Sequence, residues 1–391
     1  MRNLYQHAER LCRPGCNPAI GLFIVCSCLL ISAHALPATP QLAAKAFVLY
    51  DFSSQQMLVE HNPHEHIAPG ALTKLMTAYL VFGALRDDKL SLRRQVTPTQ
   101  YALRLQRKEP RMFLQAGQDV SVDDLLHGLI VQSANDAARV LAEAVAHHEL
   151  AFADLMNAEA QKLEMRDTHF VNASGVDEAG HYSSAHDLML LATALIRDFP
   201  DFIPRYAQRQ YAYNDIEQYN TNRLLWLDPH VDGLQAAQID GLGFSLIASA
   251  QRGQRRLLAL VIGAATTHLR DSASQHLLNH GFREYESILL YRKQQAVKSI
   301  RVWKGTQDLL DVGFAADRHV TIPVGARERL TATVETLEPL VAPVSSGQQV
   351  GILHLVLDGK PWLDVPVVAL QRVPLANVFA RGVDAIRLLF R

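Results

Sequence analysis

Residues 72–85, LTKLMTAYLVFGAL, constrain this chain more than any other stretch. They are apolar on every side of a helix rather than along one stripe, and such a helix has to be enclosed by other elements. A domain must therefore be built around this segment. Pro69 and Gly70 stand just before it and mark its start. Its one charged residue is Lys74. Burial favours the neutral form of a lysine, which lets the amine act as a base near neutral pH. Residues three apart share a helix face, so the natural proton donor for Lys74 would stand at position 71. That residue is Ala71, which has no proton to give. The expected present use of Lys74 is then structural, paired to nearby polar groups.

A chain of 391 residues holds two or three domains with substantial cores, and 49% apolar with 20% charged residues excludes large-scale disorder. Residues 1–35 read as a secretory signal: Arg2, Arg10 and Arg13 precede an apolar run over 19–32, and Ala33 and Ala35 frame a cleavage site. That run falls short of the roughly 20 residues needed to cross a bilayer, and no lipobox precedes Cys28. All four cysteines, Cys12, Cys16, Cys26 and Cys28, lie in this leader, so the mature chain has neither thiol nor disulfide. Without Arg2, Arg10, Arg13 and Glu9, 38 basic and 39 acidic residues become 35 and 38, a net charge of −3. Nothing in this balance points to a nucleic-acid partner.

Residues 44–51 and 57–60 alternate as two strands of a hairpin. His61, His64 and His66 follow and invite a metal reading, but they lack recognisable ligand spacing, so a solvated loop is expected, with no metal and no cofactor. Ser121-Val122-Asp123-Asp124 reads as a capping box opening a helix over 125–132, which delivers the chain to Ser133-Ala134-Asn135. In an extended turn, residues i and i+2 point the same way, so Ser133 and Asn135 are expected to face one cleft. Helices are expected over 135–146 and 150–163, and over 188–197 behind a cap at Ser184-Ala185-His186-Asp187. Residues 244–250 and 257–263 read as a hairpin around Arg252-Gly253. From about residue 298 short β-rich runs recur between turns.

The stretch Pro69-Gly70-Ala71-Leu72-Thr73-Lys74 resembles the Pro-Ala-Ser-Leu-Thr-Lys form of the Ser-x-x-Lys motif of D-alanyl-D-alanine carboxypeptidases. These are low-molecular-mass penicillin-binding proteins, serine peptidases of the β-lactamase/transpeptidase superfamily. Ser133-Ala134-Asn135, about sixty residues on, resembles their second motif. By that resemblance Ser133 is a proton relay and Asn135 a donor to a substrate amide. The third motif, a Lys-Thr-Gly strand that holds the substrate carboxylate, is replaced by Gln235-Ala236-Ala237, with Gln238 and Ile239 next, although the flanking Asn222-Arg223-Leu224-Leu225-Trp226 and Val231-Asp232-Gly233-Leu234 fit the family. The charge, the hydroxyl and the glycine are all gone.

The resemblance implies an α/β fold. A β-lactamase/transpeptidase-like domain over 41–292, an antiparallel sheet flanked by helices plus an all-helical lobe, is followed by a small β-sandwich domain over 298–372. Residues 374–391 form an amphipathic helix, with Leu375, Val378, Phe379, Val383, Ile386, Leu389 and Phe390 on one face and Arg381, Asp384, Arg387 and Arg391 on the other. It suits a membrane surface and is too short to cross it. Three functional expectations follow. The leading one is an exported, periplasmic homologue at the outer face of the cytoplasmic membrane, catalytically inactive, with peptidoglycan stem peptides or cell-wall enzymes as partners. The second is a working carboxypeptidase, and the third a hydrolase using Ser133 as nucleophile with Lys74 as base.

Overall fold

The computed structural model describes residues 37–389; the leader with its four cysteines, and Phe390 and Arg391 of the tail, lie outside the described residues. Five antiparallel strands form the central sheet, in the spatial order Gln56–His61, Ala46–Asp51, Arg255–Ala264, Gly243–Arg252 and Val231–Ile239. Period-two alternation divides its side chains between two cores. Val48, Leu258, Leu260 and Ile262 face the helical lobe. Phe47, Leu49, Leu257, Ala259 and Val261 face the other way, onto Leu277 and Leu278 of an 18-residue helix, Thr267–Glu284.

The apolar segment at the start of the lobe is enclosed as expected: Leu72, Leu75, Met76, Val81 and Phe82 are fully buried. Its α-helix runs Lys74–Arg86 and is entered through a 3-10 turn, Gly70–Thr73, so Ala71 lies in that turn and not in the α-helix. The lobe continues with helices Val122–Val131, Asn135–Ala146, Glu149–Lys162 and Ala185–Asp198. Two of these begin at the caps read from the sequence, where Ser121 accepts from Asp124 N–H and Ser184 from Asp187 N–H.

The second domain has a six-stranded sheet, in the order Leu330–Thr336, Gln349–Leu357, Lys360–Ala369, Leu309–Gly313, Ala296–Trp303 and Leu340–Val341. A two-stranded pair, Tyr285–Tyr291 with Arg318–Pro323, packs against it through Val320, Ile322, Leu353, Leu355 and Val365. Tyr285–Tyr291, which the 41–292 boundary assigned to the first domain, is thus paired within the second. A terminal helix, Val378–Leu389, closes the described chain.

Candidate active site

The 3-10 turn sets the geometry at position 71. Side chains three apart eclipse in such a turn, and Lys74 N–H donates to Ala71 C=O, so the Ala71 methyl and the Lys74 side chain lie over one another on one side. The turn is held close to the loop Asn172-Ala173-Ser174-Gly175. A Cβ on Gly175, which has φ +81°, would stand 1.8 Å from Gly70 O, so glycine is required there. Asn172 Oδ1 accepts from Gly175 N–H at 2.7 Å, and Thr77 Oγ1 donates to Ala173 O at 2.6 Å.

Lys74 Nζ donates to Ser174 O at 2.7 Å. Desolvation lowers its pKa from 10.5 to about 7, opposed by the nearby Glu109 and Asp136 carboxylates and reinforced by Arg139. The amine therefore has the poise of a base while its hydrogen bond goes to backbone. Behind it, Val171 N–H donates to His181 Nδ1 at 3.1 Å, which leaves the proton on Nε2 to reach Thr73 Oγ1 at 2.9 Å. Burial holds His181 down, to about 4, so this bond is made by the neutral ring.

The structure brings the second and third motif positions together. Gln235 Nε2, on the edge strand of the sheet, donates to Ser133 Oγ at 3.0 Å and to Ala236 O at 3.3 Å. Gln235, Ala236 and Ala237 are buried. One correction concerns the Ser133 turn. Its backbone is left-handed, φ +58°, rather than extended, and Asn135 opens the helix expected over 135–146. The Asn135 amide nitrogen donates to Glu109 Oε2 at 2.8 Å, while its Oδ1 is buried with no hydrogen-bond partner. Arg139 Nη2 stands 3.6 Å from the same carboxylate oxygen.

Glu109, Ser174 and His181 were not picked out from the sequence. Each lies in a loop with no periodicity to mark it, and the only local signal is Gly175, which announces a close backbone approach. The exposed histidine loop meets a partner from far along the chain. Asp167 supplies a distant carboxylate, 3.2 Å from His64 Nδ1 and 3.5 Å from His66 Nε2. Among the described residues no group of three or more His, Cys, Asp or Glu is arranged to hold a metal ion.

Comparison with known proteins follows the same line. A family model described as D-alanyl-D-alanine carboxypeptidase matches residues 33–266, and one described as penicillin-binding protein 5, C-terminal domain, matches 285–375. The chain belongs to the D-alanyl-D-alanine carboxypeptidase family. It is 37% identical over 365 residues to D-alanyl-D-alanine carboxypeptidase DacC of Escherichia coli, covering 92% of this chain and 91% of the relative. DacA of the same organism is 35% identical over 380 residues, with 94% of each covered. The crystal structure of penicillin binding protein 5 from Haemophilus influenzae superposes with a TM-score of 0.82 at 32% identity, covering 86% of this chain and 99% of that one. The family's chemistry is that of a serine peptidase. In this carboxypeptidase homologue a methyl group stands one turn before Lys74.

Proposed function

We propose that this homologue, a member of a family of peptidoglycan metabolism, has no D,D-carboxypeptidase activity of its own and serves as a stem-peptide-binding or regulatory partner of cell-wall enzymes. The observation that carries the reading is at Ala71. Acyl transfer needs a nucleophile activated by an adjacent base, and the residue eclipsing Lys74 offers no oxygen. Gln235 supports it from the other side of the cleft, because a neutral amide bonded to Ser133 takes the place of the cation that would hold a C-terminal carboxylate. A change at one motif alone would leave the other intact; here two separated motifs have changed.

The same proposal places the mature chain outside the cytoplasm, peripherally attached to the outer face of the cytoplasmic membrane. The leader motif supports export, and the terminal helix supports attachment: Val378, Phe379, Val383, Ile386 and Leu389 are all exposed. Among the described residues no helix is long and apolar enough to cross a membrane. The deciding experiment is incubation with a fluorescent penicillin, read by intact-protein and peptide mass spectrometry. No covalent adduct and no release of D-alanine from pentapeptide are expected. A stable adduct overturns the reading, and one mapping to Ser133 puts the Ser133–Lys74 chemistry in its place.

A further inference from the structure

Asn135 is expected by family resemblance to offer its amide nitrogen to a peptide carbonyl, yet here that nitrogen is taken. Only an N–H end can face a carboxylate, so the contact with Glu109 Oε2 settles which way the amide points. The consequence is visible at the other end, where Asn135 Oδ1 is buried without a partner. Glu109 is not a loosely placed surface side chain. Its second oxygen accepts from Gln106 N–H at 2.8 Å, and Arg139 lies beside the first. The loop that carries it is tied to the helix bearing Asn135 at two points: Asn135 N–H donates to Pro110 O at 2.8 Å, and Met112 N–H donates to Asp136 Oδ1 at 3.0 Å.

We propose that Glu109 is a specificity-determining residue of this cleft: its carboxylate holds the Asn135 amide nitrogen and so withholds from a D-Ala-D-Ala peptide the donor that would take its carbonyl. A hydrogen bond to an ionised acceptor is roughly twice as strong as one to a neutral carbonyl, so a peptide does not displace Glu109 without help. The cleft is then selective against stem peptides that end in D-Ala-D-Ala. This rests on the proposal that the cleft binds without acylating.

The test uses the full mature chain and the peptide Nα,Nε-diacetyl-L-Lys-D-Ala-D-Ala, titrated by calorimetry. Gln235→Lys supplies a cation for the peptide carboxylate and serves as the reference. Adding Glu109→Ala to it should tighten Kd by about tenfold, by releasing a charge-assisted bond. Adding Glu109→Gln, the same size and able to accept only a neutral hydrogen bond, should tighten it by roughly threefold, and decides the matter if the alanine variant does not fold. Equal Kd values for the reference and the Glu109 variants, weaker binding by those variants, or no binding by any of them overturns the proposal. The two readings fail separately. A penicillin adduct on the unaltered chain refutes the loss of chemistry whatever the affinities are, whereas equal affinities refute the role of Glu109 whatever the adduct assay shows.

Discussion

Lys74 shows how much one residue's environment decides. The unfolded chain protonates it up to about 10.5, whereas the folded chain sheds that proton at about 7. Between those values the unfolded state binds more protons, so this group makes stability rise with pH across the window and contributes no such slope below it. Lys74→Met removes the term. In urea denaturation series, the stability of the natural chain relative to that variant should therefore increase from about pH 7 towards 10, by no more than about 1.4 kcal/mol per pH unit. A gap that stays constant would mean that the amine is already protonated in the fold. Repair of the chemistry is a second matter at this scale. Ala71→Ser alone should recover little peptidase activity, because Gln235 supplies no charge, and a charge-assisted contact is worth about 1.5–3 kcal/mol. Combining Ala71→Ser with Gln235→Lys, Ala236→Thr and Ala237→Gly should do clearly better in D-alanine release. Equal rates for the single and quadruple variants would acquit the strand.

Among the elements, the tail makes the sharpest prediction. No residue of Val378–Leu389 is buried, and the helix is tied back chiefly by Asp384, whose Oδ2 accepts from Lys304 N–H at 2.7 Å. Deleting residues 374–391 should release the mature protein from anionic vesicles without lowering its thermal midpoint. Each basic contact with the membrane contributes on the order of 1 kcal/mol and the apolar face the remainder, so high salt should loosen the intact protein only in part. A truncated protein that melts much lower would place the helix on its own domain instead. Helices with strong caps or strong apolar pattern were readable from the sequence, and Asn135–Ala146 was read to the residue. Thr267–Glu284 was not, because Arg270, Asp271, Ser274 and His280 are buried on it and blur the apolar stripe. Its one clear signal was the cap, Thr266 Oγ1 accepting from Leu269 N–H at 3.1 Å.

For the molecule as a whole, the junction between the two domains is a buried polar knot. Asp51 is fully buried and accepts from Arg255 Nε at 2.7 Å, from Thr321 Oγ1 at 2.9 Å and from Ser53 N–H at 2.9 Å. Gln56 completes it, accepting from Thr321 N–H at 2.6 Å and donating to Thr321 O at 3.3 Å. Removing one member of a buried ion pair costs about 3–5 kcal/mol, because the other is left uncompensated. Asp51→Ala should therefore split calorimetric unfolding into two transitions, the second domain melting apart from the first. A single, unshifted transition would show that the knot does not couple them.

Taken by itself, the sequence determined what depends on local pattern: the enclosed helix at residues 72–85, the capped helices, the alternating strands, the change to β structure near residue 300, and the missing oxygen at Ala71. These follow from periodicity, capping and side-chain chemistry, which neighbours in the chain are enough to express. Tertiary structure alone decided which distant groups meet. Gln235 reaches Ser133 across 102 positions, Lys74 reaches Ser174 O across 100, and Glu109 takes the Asn135 amide across 26. Those pairings, like the left-handed turn at Ser133, come from how separate elements pack around one buried helix, and no single stretch of sequence encodes them.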